Sequence, residues 1–178
     1  MDGPPDHDLM ARAAQGDERA FRELSRRHAG AAYRLARRML GNEALAEDMV
    51  QDAFLRVWVN APRWRPQAAF RTWLYRIVVN LCLNAKRRAA DVPLDAAGDP
   101  ADPADGADAA LERHEQDRTL AAAIDALPAR QRAAIVLTYQ EELSNAEAAA
   151  VLDTSVSSLE TLLVRGKRAL RAALGKAI

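Results

Sequence analysis

Three groups of residues in this sequence could do chemistry, and in each the chemistry is non-covalent recognition. In "NAPRWRPQ", Arg63, Trp64 and Arg65 are interleaved between prolines that limit the loop's freedom. Aromatic rings among arginines suit unpaired bases, which stack on the rings while phosphates meet guanidinium groups; equally, Trp64 and Trp73 could be large core residues. In "VSSLETLLVRGKRALR", helical spacing puts Ser157, Glu160, Thr161, Val164, Arg165, Arg168 and Arg171 on one side. Small hydroxyls leading into arginines suit a helix whose start meets base edges in the major groove and whose later cations hold phosphates. The plainer reading is an amphipathic helix whose basic end complements its dipole. In "ALAEDMVQDAFLRVWVN", Asp48, Gln51, Asp52, Leu55 and Val59 share a face. Acids set around exposed leucine and valine resemble a protein-binding patch whose charges fix register, or a solvated face with two surface apolars.

Covalent chemistry is not expected. Glu47 and Asp48 are adjacent and diverge on a helix instead of converging on a cleft, so an enzyme is the least expected class. His7, His28 and His114 lack ligand spacing, and neither a metal nor any other cofactor is expected. Cys82 is the only cysteine, which excludes an internal disulfide, and its setting in "IVVNLCLN" predicts a small buried residue.

The elements that must position these groups are helices. Strong helix formers dominate and no stretch alternates apolar with polar residues over strand length, so the fold class is all-α. A hydrophobic content of 49% in 178 residues suffices for packed cores. The stripe Ala46, Met49, Val50, Ala53 and Val57 makes one core face. A helix from about Phe70 to Arg88 buries Phe70, Leu74, Ile77, Val78, Leu81 and Cys82, leaving Thr72, Arg76, Val79, Asn80 and Arg87 opposite and Trp73 at the margin. Ser144 with Glu147, and Ser157 with Glu160, fit capping boxes that start two successive helices. The "LDTSVS" between them is the short turn of a helix-turn-helix, with Asp153 where a glycine is common. Leu159, Leu162, Leu163, Gly166 and Leu170 form the core face of the second helix.

The net charge of zero conceals a division: residues 1–90 carry 16 basic and 10 acidic side chains, 91–118 carry 2 and 9, and 119–178 carry 7 and 6. The stretch "DVPLDAAGDPADPADGAD" has the composition of a linker that does not fold alone. The chain therefore divides into 1–90, an acidic linker at 91–110, and 111–178, with no internal repeat. No apolar run reaches the roughly 20 residues of a membrane helix, and "MDGPPDHD" is unlike a signal peptide. The expectation is a cytoplasmic protein without membrane insertion.

The segments "AFRELSRRHAGAAYRLARRMLGNEALAEDMVQDAFLRVW", "FRTWLYRIVVNLCLNAKRR" and "ALPARQRAAIVLTYQEELSNAEAAAVLDTS" resemble, in order and spacing, the extracytoplasmic-function (ECF) sigma factors of bacterial RNA polymerase. The resemblance implies sigma region 2 over residues 1–90 and sigma region 4 over 111–178. It implies that Asp48, Gln51, Asp52 and Leu55 bind core RNA polymerase. It assigns Arg63, Trp64, Arg65, Arg71, Thr72, Trp73, Arg76 and Asn80 to the minus-ten element, where strands part and a non-template base is captured. Ser157, Ser158, Thr161, Arg165 and Arg168 would meet the minus-thirty-five element as duplex. Its partners would be core polymerase, promoter DNA and an anti-sigma factor, with no small-molecule substrate. Glu160 and Leu162 depart from the basic residues common in that family. Glu160 is read as a helix cap or, if it faces the groove, as an acceptor for a cytosine amino group. Two other readings are a stand-alone helix-turn-helix regulator, which leaves the Asp48 and Leu55 patch unexplained, and a sigma-like decoy that sequesters an anti-sigma factor, which leaves the basic surfaces unexplained.

Overall fold

The structure is a computed structural model that describes residues 3–66, 68–91 and 118–175; most of the acidic stretch lies outside the described residues. Helix α1 (Asp6–Ala13) leads into α2 (Glu18–Leu40), which starts where the Asp17 carboxylate accepts from the amides of Arg19 and Ala20. It stops at Gly41, whose φ of 70° is open to glycine without a Cβ penalty. One residue on, the Asn42 side chain accepts from Leu45 N–H and starts α3 (Glu43–Asn60). A single 3₁₀ turn (Ala61–Arg63) and a short loop follow, then α4 (Phe70–Asp91).

In the second half, α5 (118–125) is followed by Pro128 at the start of α6 (Ala129–Ile135), which widens into a π-helical turn (Val136–Gln140). Helix α7 (Asn145–Val151) opens on the expected capping box: the Ser144 hydroxyl accepts from Glu147 N–H, and the Glu147 carboxylate accepts from Ser144 N–H. Helix α8 (Val156–Leu174) completes the chain. The Ser157 and Glu160 box does not form. The N-cap is Ser155, whose hydroxyl oxygen accepts from Ser158 N–H, so α8 starts two residues early and Glu160 lies beyond the capping turn. Serine at both positions made the choice ambiguous; the hydroxyl nearer the turn is the one that reaches a free amide.

Among the described residues there is no strand. Helix α2 is the spine of the first half, packed on α1, α3 and α4, while α6 and α7 pack on α8. The predicted stripes hold in the main: Ala46, Val50, Ala53 and Val57 are buried on α3, and Phe70, Leu74, Val78, Leu81 and Cys82 on α4, while Met49 and Ile77 sit at the margins, half-buried. Burial pushes the Cys82 thiol up to about 12, which keeps it protonated and inert.

The halves also pack against each other, α4 on α7 and α6 on α2 and α4, and they share one contiguous buried cluster. Arg132 of α6 is 2% exposed; its Nε donates to Ile124 O at 3.1 Å and its Nη1 to Met39 O at 2.9 Å, with Asp125 Oδ1 also 2.9 Å from Nη1. A guanidinium from one half therefore satisfies a carbonyl in the last turn of α2, which would otherwise be left without a helical partner. No helix among the described residues is long and apolar enough to cross a membrane.

Candidate nucleic-acid and polymerase interfaces

The 3₁₀ turn and the following loop fold back over the start of α4 and make a cleft of about 590 Å³. Arg56, Asn60, Arg63, Trp64, Arg65, Thr72, Trp73, Arg76, Ile77 and Asn80 line it. The Trp64 and Trp73 rings lie 6.3 Å apart at 52°, and Trp73 continues to Phe70 at 6.1 Å. Both tryptophans are half-buried, so the two readings of them merge: each supports the core with one part of its ring and lines the cleft with another. Arg63, Arg65, Arg76 and Asn80 are exposed. The arrangement can stack a planar group and attract an anion together, and its size falls within the roughly 300–1,000 Å³ of small-ligand clefts.

Two residues expected on the open face of α4 are buried instead. Thr72 is 7% exposed, although it still borders the cleft, and Val79 is fully buried. They flank Arg76 by one turn each way, and this face of α4 turns toward α7. Arg71 is exposed and lies over the Tyr75 ring, with 5.7 Å from its guanidinium carbon to the ring centre, away from the cleft lining.

Across α3 the expected surface is present. Asp48, Gln51 and Leu55 are exposed and Asp52 is half-buried, its carboxylate paired with Arg56 at 3.2 Å. Leu55 and Val59 are 63% and 71% exposed. Beside them lies an apolar groove of about 780 Å³ lined by Phe21, Val50, Phe54, Leu55 and Trp58 among others, with the Phe21 and Trp58 rings 4.9 Å apart. Sequence reasoning missed Phe21 and Trp58, whose signal was there: aromatics at i, i+4 on α3 opposite one aromatic on α2. Leucine and valine this open, beside an aromatic groove and flanked by acids, fit a protein-docking surface better than scattered surface apolars.

Helix α8 presents the third face. Leu159, Leu163 and Gly166 are buried, with Leu162 and Leu170 half-buried. A Cβ at Gly166 would stand 3.0 Å from the Ile135 side chain, so glycine lets α6 and α8 approach closely. Ser157, Ser158, Glu160, Thr161, Val164, Arg165, Arg168 and Arg171 are all exposed. The Thr161 hydroxyl donates to Ser157 O, and the Ser158 hydroxyl accepts from Ser155. The turn before α8 is made by Asp153 at φ 52°, a left-handed conformation that aspartate tolerates better than most residues.

Sigma-70 region 2 matches residues 24–92 and sigma-70 region 4 matches residues 117–170. The chain is 36% identical over 169 residues to the ECF RNA polymerase sigma factor SigW of Bacillus subtilis, covering 88% of this chain and 90% of SigW. It is 36% identical over 170 residues to the ECF RNA polymerase sigma factor SigE of Mycolicibacterium smegmatis, covering 92% of this chain and 66% of that longer relative. Among solved structures, CnrH in complex with the cytosolic domain of CnrY superposes with a TM-score of 0.70 at 32% identity, over 96% of this chain and 97% of that one.

Proposed function

Because the chain belongs to the ECF sigma factors of bacterial RNA polymerase, which direct transcription initiation, we infer how its three faces divide that work. Asp48, Gln51, Asp52 and Leu55 dock on core polymerase, with the α3 leucine and valine and the neighbouring groove supplying apolar area and the acids setting register. The cleft from Arg63 to Asn80 takes the minus-ten element, and the exposed face of α8 takes the minus-thirty-five element. On this reading region 2 spans residues 1–90 and region 4 spans 111–178, with 91–110 between them as tether.

The observation that carries the reading is the cleft, in which two tryptophans and four arginines meet on one surface. Extruding a base costs a few kcal/mol, and stacking returns about 1–3 kcal/mol per base. Cation contacts to the flanking phosphates make up the rest. Selection follows because only some bases fit. No covalent step is asked of the protein, so we assign it no enzymatic activity. It works where polymerase works, in the cytoplasm. The tether raises the effective concentration of one DNA-binding half once the other is bound. The CnrH structure was solved with a CnrY segment, and we extend that habit to this chain as control by an anti-sigma factor.

Glu160 is exposed and outside the capping turn, which favours its second role as an acceptor for a cytosine amino group in the upstream element.

The test is reconstitution: purified chain with core polymerase, genomic DNA as template, and sequencing of the transcript ends. Starts that depend on the chain and share upstream sequence are expected. Failure of the wild-type chain to pull down core polymerase would overturn the assignment. Tight duplex binding without polymerase would point to a stand-alone regulator, and promoter output indifferent to Arg165→Ala would point to a decoy.

A further inference from the structure

We propose that Asp6 and His28 are positioning residues for the cleft: the Asp6 carboxylate fixes the His28 ring, and that ring carries the order through Phe70 and Trp73 to Trp64, so the stacking platform is set before a base arrives. The inference rests on the assignment of the cleft to the minus-ten element made above. Asp6 opens α1, and its two carboxylate oxygens take one side chain each from α2. Oδ2 lies 2.6 Å from His28 Nε2, and Oδ1 accepts from Arg27 Nη1 at 3.2 Å. Arg27 is held in turn by Pro4 O at 2.8 Å and by Glu23 Oε1, also at 2.8 Å. The His28 side chain is 15% exposed, so its ring is a packed body rather than a surface group.

From His28 an unbroken line of rings runs to the cleft. His28 meets Phe70 edge to face, with ring centroids 4.9 Å apart at 62°. Phe70 is buried and meets Trp73 at 6.1 Å and 58°, and Trp73 meets Trp64 at 6.3 Å and 52°. All three spacings lie within the roughly 4.5–7 Å over which aromatic rings favour tilted and edge contacts, so the plane of each constrains the next. A second route reaches the same end. Helix α1 packs on the 3₁₀ turn Ala61–Arg63, and Trp64 is the residue that closes that turn.

Stacking discriminates between bases only when the platform keeps its pitch. A ring that has to be ordered as the base arrives lowers the affinity by the cost of ordering it. Neither Asp6 nor His28 lines the cleft, so whatever they contribute to binding passes through the rings. Docking of α1 is already secured by Leu9, Met10 and Ala13, all buried. The polar clasp adds what burial does not: apolar packing is non-directional, whereas two hydrogen-bonded contacts on one carboxylate fix the plane of the imidazole.

The test labels the full chain with 5-fluorotryptophan, which puts one fluorine signal on each of Trp58, Trp64 and Trp73, assigned through the single Trp→Phe variants. In Asp6→Ala the Trp73 and Trp64 signals are expected to shift and broaden, while Trp58, which stacks on Phe21 outside the line, keeps its place. Asp6→Asn retains an oxygen for His28 and should restore both signals. With core polymerase bound, Asp6→Ala should take up a labelled single-stranded oligonucleotide, spanning the minus-ten element of a start mapped by the reconstitution, about fivefold more weakly. Asp6→Asn should lie close to wild type, and affinity for core polymerase and for the minus-thirty-five duplex should not change. A clasp that merely stabilised α1 would lower the melting temperature and leave the Trp73 signal and oligonucleotide affinity at room temperature unmoved; that outcome overturns the proposal, as do shifted signals with unaltered affinity. If Asp6→Ala loses helix by circular dichroism, His28→Gln decides in its place. It keeps a donor for Asp6 and removes the ring, so Trp73 and Trp64 should still move, and unmoved signals remove the proposal. Should the wild-type holoenzyme fail to bind the oligonucleotide, the minus-ten assignment falls and the proposal with it; equal binding by wild type and variants removes the positioning role alone.

Discussion

The Tyr75 hydroxyl donates to Glu141 across 66 positions of sequence at 2.6 Å, joining α4 to the segment before α7. Tyr75 is 1% exposed, and burial first, then the Glu141 carboxylate, hold its hydroxyl proton well above the usual tyrosine range. A double-mutant cycle of Tyr75→Phe and Glu141→Gln, followed by urea unfolding, is expected to give a coupling of about 1–3 kcal/mol, the range for a charge-assisted bond. Because the folded pKa is raised, this contribution is fully present below pH 10 and fades as pH climbs through the folded value. Additive single effects would show that the bond carries no stability.

Arg132→Ala strips Met39 O and Ile124 O of a buried donor and leaves a hole between α2, α5 and α6. A loss of about 2–4 kcal/mol in urea unfolding is expected. Arg132→Lys should recover little of it, since one ammonium cannot reproduce the fork that serves both carbonyls.

On α3, Asp48→Arg reverses a charge at an exposed position, so circular dichroism and melting should not change. Binding to core polymerase is expected to fall at least tenfold in a pull-down titration. Leu55→Asp should do the same, through lost apolar contact. Unchanged binding in both would remove α3 from the docking surface.

Glu160 and Arg168 make opposite predictions on one helix. Arg168→Ala should weaken upstream-duplex binding evenly across sequences and lower the salt slope by about 1, as for a lost phosphate contact. Glu160→Gln should instead relax preference at a single base pair by about 1–3 kcal/mol, with the salt slope little changed. A selection from randomised upstream duplexes by the holoenzyme reads both.

Ser144→Ala removes the cap of α7 and is expected to cost about 1 kcal/mol at neutral pH. The Ser144 hydroxyl and amide hold the Glu147 carboxyl below the usual range. Its contribution is thus present above the ordinary carboxylate pKa and lost as pH falls through the folded value. The gap between wild type and Ser144→Ala should narrow below about pH 4.

How much of this was legible in the sequence depends on the range of the interaction. Periodicity located α3, α4 and α8, because one-sided burial is written into spacing, the Ser144 and Glu147 box located α7, and the exposed faces of α3 and α8 followed as complements. The start of α8 was misjudged because Ser155 and Ser157 each have a plausible partner three residues on, and only geometry chooses. The burial of Thr72 and Val79 was hidden for a deeper reason: on α4 alone they belong to the solvent side, and the sequence does not say that α6 and α7 of the far half pack on this helix. Arg132 was passed over because an arginine in a helix is ordinarily read as surface, and nothing local announces the carbonyl 93 residues away that it satisfies. The acidic stretch lies mostly outside the described residues, so its part in the mechanism rests on composition and reach alone.

Asp153 holds a backbone conformation for which glycine is the easier tenant, with φ at 52°. Asp153→Gly would relieve the turn between α7 and α8, yet it would also delete the carboxylate that meets Arg76. Local comfort and long-range restraint are opposed at this single position. A chain adapted to heat by this one change would hold a more comfortable corner and a looser seam between its halves.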